Sequence, residues 1–314
     1  MTMRYSIIVP AFNEVESVAE LAAEITATLG RASGDFELIF VDDGSYDGTG
    51  EKLDALARND RRIRVLHLQR NSGKSAAYSA AFDAATGETI ITLDADLQDD
   101  PAELPKLFAA LESGADLVVG WKQGRLGNEP GKTVPSRFFN GLIHLLFGLR
   151  LHDSNSGFRA MRRPVAQSLD LYGDLYRFIP ELAHRRGFRV TEAGVQHRRR
   201  RYGHSKYGVT RFWTGVLDLL TVRFITGFTR KPLHFFGTLG LFPLLLGTGL
   251  EVYVLVRKLM GDLFQTHVAA LITGVLLITV GIQLVATGLI GEMIAASSRG
   301  RDYILRPPQP PAGD

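Results

Sequence analysis

The sequence predicts an α/β domain with a parallel sheet, followed by two membrane-spanning helices. Three observations point there. Short β-branched apolar runs alternate with helix-like stretches through the first 120 residues, the pattern of a parallel sheet covered on both faces. Phe235–Val256 is a run of 22 residues whose one charge is Glu251, and Val268–Gly291 is a run of 24 with no charge. The mean hydropathy of +0.04 coexists with 22% charged residues, so apolar and charged residues are segregated along the chain. With 314 residues and 45% hydrophobic content, a disordered or fibrous protein is excluded.

Taken in order, the apolar runs YSIIVP (5–10), FELIFVDD (36–43), IRVLHL (63–68), ETIITLDAD (88–96) and DLVVG (116–120) read as five strands. Glu14–Leu29, Thr49–Arg58, Ser75–Ala85 and Pro101–Glu112 read as the helices between them. Two further stretches, 134–149 and 209–228, are apolar, aromatic and dotted with arginine. The first reads equally as an interfacial amphipathic helix or a core helix, whereas the second leads into the first long apolar run and reads as interfacial. The two long runs suffice to cross a hydrocarbon core of about 30 Å at about 1.5 Å per residue. The tail RPPQPPAGD is proline-rich and reads as disordered.

Charge then gives an orientation. Arg211, Arg223, Arg230 and Lys231 precede the first span, and Arg299, Arg301 and Arg306 follow the second, while the connection holds Arg257, Lys258 and Asp262. The positive-inside rule puts both flanks in the cytoplasm, and the opening MTMRYSIIVP enters a strand pattern directly, with no leader-like run. The expected division is 1–230, 231–296 for the two spans, and a cytosolic tail at 297–314. Lys and Arg number 36 against 33 Asp and Glu, a net +3, too balanced for a protein that coats nucleic acid. There is no cysteine, which excludes disulfides, thiolate metal sites and a cysteine nucleophile.

In a parallel sheet, ligands bind at the carboxyl ends of the strands. The second strand ends in Asp42-Asp43-Gly44-Ser45, and the fourth runs into Asp94-Ala95-Asp96-Leu97-Gln98-Asp99-Asp100; Asn13 and Glu14 follow the first. Each acidic turn alone reads as a solvated loop, and Asn13-Glu14 as a helix cap. Stacked at one sheet edge, like charges need a cation between them, and an Asp-x-Asp turn gathers hard oxygen donors suited to Mg²⁺ or Mn²⁺ bridging to phosphates.

IIVPAFNE, FVDDGSYDGT and LDADLQDDP, in this order and spacing, resemble the family 2 glycosyltransferases with the Rossmann-like GT-A fold. With NSGFRAMRR, RRRYGHSKYG and the two C-terminal spans, the chain is more specifically similar to the polyprenyl-phosphate glycosyltransferases, which include dolichyl-phosphate mannose synthases and undecaprenyl-phosphate sugar transferases. The resemblance covers roughly residues 5–295. It implies that Pro10, Ala11, Asn13, Glu14, Asp42, Asp43 and Gly44 hold the nucleoside of a nucleotide-sugar, UDP- or GDP-linked. It also implies that Asp94, Ala95, Asp96 and Gln98 form the metal turn, with Asp94, Asp96 and Gln98 as ligands of Mg²⁺ or Mn²⁺, while Lys74, at a glycine-opened helix start, reads as lying near the nucleotide phosphates.

A polyprenyl phosphate acceptor is anionic and lies at the bilayer surface, so its site should be cationic. Lys122, Lys132 and Arg137 follow the fifth strand, and the family motif Arg-x-x-Gly-x-Ser-Lys falls on Arg200, Gly203, Ser205 and Lys206. Arg198 and Arg199 read as surface charge. Asp153–Arg159 matches the segment that shapes the acceptor side, and Tyr176 and Arg177 fall near the sugar. An ionised phosphate needs no strong general base, unlike a hydroxyl, so the implied reaction is in-line, inverting transfer of one sugar. The resemblance also implies a homo-oligomer, for which Gly274, Gly281 and Gly288 offer close packing within a membrane.

Other signals lead elsewhere or nowhere. The GKS at 73–75 lacks the earlier P-loop glycine, since that position is Leu68. The histidines show no metal-ligand spacing and read as structural. A processive polysaccharide synthase would carry Gln-x-x-Arg-Trp, yet Gln196 is followed by HRRRR and Trp213 has no matching glutamine. A catalytically inactive scaffold would show erosion of the metal ligands, and all three are present.

Overall fold

The computed structural model describes residues 4–32, 35–123, 148–198 and 232–297. The expected helix at 209–228, most of that at 134–149 and the C-terminal tail lie outside them. The chain divides into two compact units, Met1–Val222 and Arg223–Asp314.

The first unit is built on seven strands: β1 (Tyr5–Ala11), β2 (Phe36–Asp42), β3 (Ile63–His67), β4 (Thr89–Thr92), β5 (Leu117–Gln123), β6 (Arg159–Arg162) and β7 (Val190–Gln196). Their order across the sheet is β3-β2-β1-β4-β6-β5-β7. β1 pairs in parallel with both β2 and β4, and β5 with β7, but β6 runs antiparallel between β4 and β5. The sheet is therefore mixed rather than all-parallel. The sequence conceals this because RAMR carries two arginines in four residues and VTEAGVQ interleaves polar residues, so neither resembles the continuous apolar runs of β1 and β2.

Those runs are apolar because both faces are covered. Helices α1 (Val18–Ala32), α2 (Thr49–Asn59) and α4 (Leu104–Glu112) place Leu21, Ile25, Leu53, Leu104 and Leu107 against one face. Helices α3 (Lys74–Ala84), α5 (Arg163–Ser168) and α6 (Ile179–Arg185) place Tyr78, Phe82, Val165, Ile179 and Leu182 against the other. One carboxylate breaks the apolar pattern of β2. Glu37 is buried yet accepts hydrogen bonds from Ser6 Oγ at 2.6 Å, Thr86 N and Oγ1 at 2.7 Å and Arg64 at 2.6 Å. Burial pushes its carboxyl up, and these donors together hold it below its ordinary value.

Two of the boundary differences bear on the site. α1 begins at Val18 rather than Glu14, because Asn13 has a positive φ of 54° and the Glu14 amide is taken by Thr49 Oγ1 at 2.9 Å. Lys122 lies within β5 rather than after it.

The second unit is a helical hairpin, α7 (Pro232–Leu259) and α8 (Val268–Ser297), joined through a short 3₁₀ turn at Phe264–His267. Both helices are long and apolar enough to cross a membrane. A Cβ on Gly240 would meet Gly281 O at 2.7 Å, and one on Gly247 would meet Gly274 O at 2.6 Å. Gly288 abuts Leu233 and Phe236. Gly274, Gly281 and Gly288, expected to pack against other copies, instead close this chain's own hairpin. Its outer surface consists of exposed large side chains such as Phe242, Leu245, Leu255, Ile272, Leu276 and Ile282.

Candidate active site

The carboxyl ends of β1, β2 and β4 meet at one sheet edge, as the register Ala11↔Asp42 and Ile8↔Thr92 requires. The loops leaving β1 and β2 are stitched together there. Asp43 N donates to Ala11 O at 2.9 Å, Asn13 N to Ser45 Oγ at 3.0 Å, and Tyr46 N to Asn13 Oδ1 at 3.0 Å. Asp42 accepts from Ser45 N at 3.0 Å and faces His67 Nδ1 at 3.1 Å. Burial raises its pKa, but hydrogen bonds from Ser45 and His67 hold the carboxyl below its usual range. Asp43 accepts the amides of Ser72 at 2.7 Å and Gly73 at 3.0 Å, fixing the turn that launches α3. Gly44, with a φ of +71°, leaves no room for a Cβ, which would lie 2.6 Å from the Arg70 carbonyl carbon. Pro10, Ala11, Asn13, Glu14, Asp42, Asp43 and Gly44 are thus brought together.

α3 then delivers Lys74, whose ammonium pairs directly with Asp94 Oδ1. Burial opposes the charged ammonium, and the Asp94 carboxylate outweighs it, holding Lys74 well above its ordinary value. The rings of Tyr78 and Tyr176 flank the ammonium at 5.7 and 5.4 Å, distances suited to cation–π attraction. Tyr176 is held from both sides: its amide donates to Ser75 Oγ at 3.1 Å, and its carbonyl accepts from Arg159 at 3.1 Å. Arg177 pairs with Asp174 at 2.9 Å and donates to the Tyr176 hydroxyl at 3.3 Å.

Beyond Asp94, the turn closes through Asp96 Oδ1, which accepts from Gln98 N at 3.2 Å. Ala95 is buried and Leu97 has a φ of +61°. The Gln98 carboxamide nitrogen lies 3.3 Å from His197 Nε2. Asp99 is only 1% exposed and faces Lys122 at 2.9 Å and His197 Nδ1 at 3.6 Å. Burial raises the Asp99 pKa and Lys122 overrides it, leaving the carboxyl well below its usual range. Arg198 grips Glu24 and Asp100, each at 2.7 Å, so it is a staple rather than idle surface charge.

A second polar cluster lies behind Tyr176. Glu181, fully buried on α6, is pushed up to about 7 by burial, against the opposing effects of Arg159 and Ser154.

Of the expected acceptor residues, Lys122 is engaged by Asp99, whereas Lys132, Arg137, Arg200, Ser205 and Lys206 lie outside the described residues. Among the described residues, no three His, Cys, Asp or Glu side chains converge as a metal-binding group. Nothing local in the sequence marks His197 or Glu181. The first is joined to its partner across 99 positions, and the second sits in a short helix with no motif around it.

This arrangement has known counterparts. Residues 6–170 match the model of glycosyl transferase family 2. The chain is 36% identical to the dodecaprenyl-phosphate galacturonate synthase of Rhizobium johnstonii, across 97% of this chain and 93% of that protein. It is 32% identical to the undecaprenyl-phosphate 4-deoxy-4-formamido-L-arabinose transferase of Aeromonas hydrophila subsp. hydrophila, across 92% and 87%. Among solved structures it resembles glucosyl-3-phosphoglycerate synthase from Mycobacterium tuberculosis, in complex with Mn²⁺, UDP and phosphoglyceric acid. The TM-score is 0.56 at 22% identity, covering 72% of this chain and 79% of that one, a likeness of fold. The chain belongs to glycosyl transferase family 2, with a GT-A fold, and is a glycosyltransferase.

Proposed function

We propose that this enzyme transfers a single sugar from a nucleotide-sugar to a polyprenyl phosphate at the membrane, with inversion and with a divalent metal. The observation that carries the reading is the Asp94-Ala95-Asp96 turn at the sheet edge, in a chain that also holds an apolar hairpin. Its near-full-length relatives, named as polyprenyl-phosphate sugar enzymes, support the acceptor.

The donor set suits Mg²⁺ or Mn²⁺. Asp94 already balances its charge against a cation, the Lys74 ammonium, and Asp96 and Gln98 add oxygen donors of the hardness these ions prefer. Held by Asp94, Asp96 and Gln98, the ion would neutralise charge gathering on the departing nucleoside diphosphate. Asn13, Asp42 and the turn at Gly44 cradle the nucleoside, and Lys74 lies within reach of its phosphates. The acceptor phosphate, already ionised, attacks the anomeric carbon in line, so the residues supply position and charge rather than a base. Lys132, Arg137, Arg200, Ser205 and Lys206 are the cations and hydroxyl assigned to that phosphate. The hairpin anchors the catalytic unit on the cytoplasmic face, as the flanking positive charge favours.

A donor panel tests the reading. Detergent-purified enzyme receives undecaprenyl phosphate, Mn²⁺ or Mg²⁺, and UDP- or GDP-sugars singly, and the lipid product is weighed by mass spectrometry. One donor adding the mass of a single sugar is the expected result. Addition of several sugars to one lipid, or transfer that ignores metal removal, overturns the corresponding part.

A further inference from the structure

We infer that His197 is a positioning residue for the metal-ligand face of Gln98, backed by the buried pair Asp99–Lys122. The inference rests on the metal reading above and adds to it a residue from the far end of β7.

The geometry runs outward from a charge that cannot be exposed. Asp99 is 1% exposed, so its carboxylate must be matched inside the protein, and Lys122 does this at 2.9 Å. Lys122 Nζ pairs with Oδ1 of Asp99, and His197 Nδ1 lies 3.6 Å from that same oxygen. A carboxylate beside Nδ1 favours the tautomer with the proton on that nitrogen. Nε2 then presents its lone pair, and the group that meets it is the Gln98 carboxamide nitrogen at 3.3 Å. An amide that donates its NH₂ to histidine has its oxygen turned away from that ring. Oε1 of Gln98 is thereby selected as the face left for a cation, and the amide cannot flip without bringing its oxygen against the Nε2 lone pair.

The backbone makes this arrangement stiff. Asp99 and His197 form an antiparallel bridge, Arg198 N donates to Gln98 O at 2.9 Å, and the Arg198 side chain clamps Glu24 and Asp100. The turn bearing Gln98 is therefore fixed on the segment bearing His197 by main chain and side chains together. Outer partners of this kind orient ligands in many metal sites, and their loss lowers metal affinity about 10- to 100-fold.

The test is Mn²⁺ binding to the full-length protein in detergent, read by electron paramagnetic resonance with UDP and GDP in parallel. His197→Gln keeps an acceptor where Nε2 lies, whereas His197→Asn reaches Asp99 but not Gln98. The expected result is wild-type-like Mn²⁺ affinity in His197→Gln and a loss of about 10-fold or more in His197→Asn, with both variants retaining the wild-type thermal transition. In a Gln98→Ala background, His197→Asn should add nothing. Wild-type affinity in His197→Asn, or an undiminished further loss in the Gln98→Ala background, overturns the relay and leaves the metal reading standing. Absence of Mn²⁺ binding by the wild type with either nucleotide overturns the metal reading itself, and the relay with it.

Discussion

Gly157 stands so close to Asp94 that a Cβ on the glycine would lie 2.5 Å from the carboxylate Oδ1. The Gly157 carbonyl is in turn pinned by Thr92 Oγ1 at 2.7 Å, so the glycine cannot retreat, and Lys74 holds that same Asp94 oxygen. Gly157→Ala therefore displaces Asp94. Since misplacement by about 1 Å can cost on the order of 100-fold in rate, transfer should fall by about that factor while circular dichroism stays unchanged. Normal turnover in Gly157→Ala would show that the Asp94 carboxylate need not sit where it does.

On the proposed reading, Lys74 and Asp96 serve two different parts of the donor site. Asp96→Asn should abolish transfer with nucleotide still bound, because a neutral amide replaces a charged oxygen donor. Lys74→Met should weaken nucleoside diphosphate binding about 10-fold or more, the loss expected for a charge-assisted contact, as read by calorimetry. Unaltered nucleotide affinity in Lys74→Met would confine that lysine to holding Asp94.

Glu181 predicts a pH dependence of stability with a definite sign. Its native value of about 7 lies above the reference 4.5, so between these values the folded protein binds the extra proton. Stability is lost as pH rises through that window and is level above it, by up to roughly 3 kcal/mol for the group. Glu181→Gln removes this contribution. Relative to wild type, the variant should gain in melting temperature from pH 5 to pH 7 and no further to pH 8. A difference between the two that does not change with pH would contradict the assignment.

Glu37 is the opposite case, a buried carboxylate with every donor in place. Glu37→Ala leaves the buried Ser6 hydroxyl and the exposed Thr86 without their acceptor, and the stranded buried hydroxyl costs about 1–3 kcal/mol. The catalytic unit should lose roughly 2–3 kcal/mol, and the loss should be smaller in Glu37→Gln, which keeps one acceptor oxygen. Equal stabilities across the three proteins would mean that the cluster contributes nothing.

These cases show what a sequence can and cannot reveal. β1, β2 and β4 are legible because strands buried on both faces must be almost wholly apolar, β3 and β5 because their apolar runs alternate with helix-like stretches, and the Asp94–Gln98 turn because its donors lie within five residues. β6 is not legible, since Arg159 is a buried arginine whose partner is the carbonyl of Tyr176, a contact no local pattern announces. Nor is His197, whose importance depends on pairing between Asp99 and a strand formed nearly a hundred residues later. The acidic turn after β2 is recognisable by residue type, but not that Asp43 is committed to the Ser72 and Gly73 amides. The hairpin glycines are legible as small residues but not in purpose, because sequence alone does not say which helix a small residue faces.

The hairpin acts as a ruler. With 28 and 30 residues, its helices measure about 42 and 45 Å against a hydrocarbon layer of about 30 Å. The surplus is roughly two helical turns, enough for both ends to reach the headgroup layers or for the pair to tilt. At one end Arg257 and His267 converge on Asp262 at 2.7 and 3.0 Å, and at the other Glu292 accepts from Leu233 N at 3.4 Å. In a hairpin that crosses a bilayer, each charged end would be registered to a polar layer, which would limit how far the pair can slide along the bilayer normal.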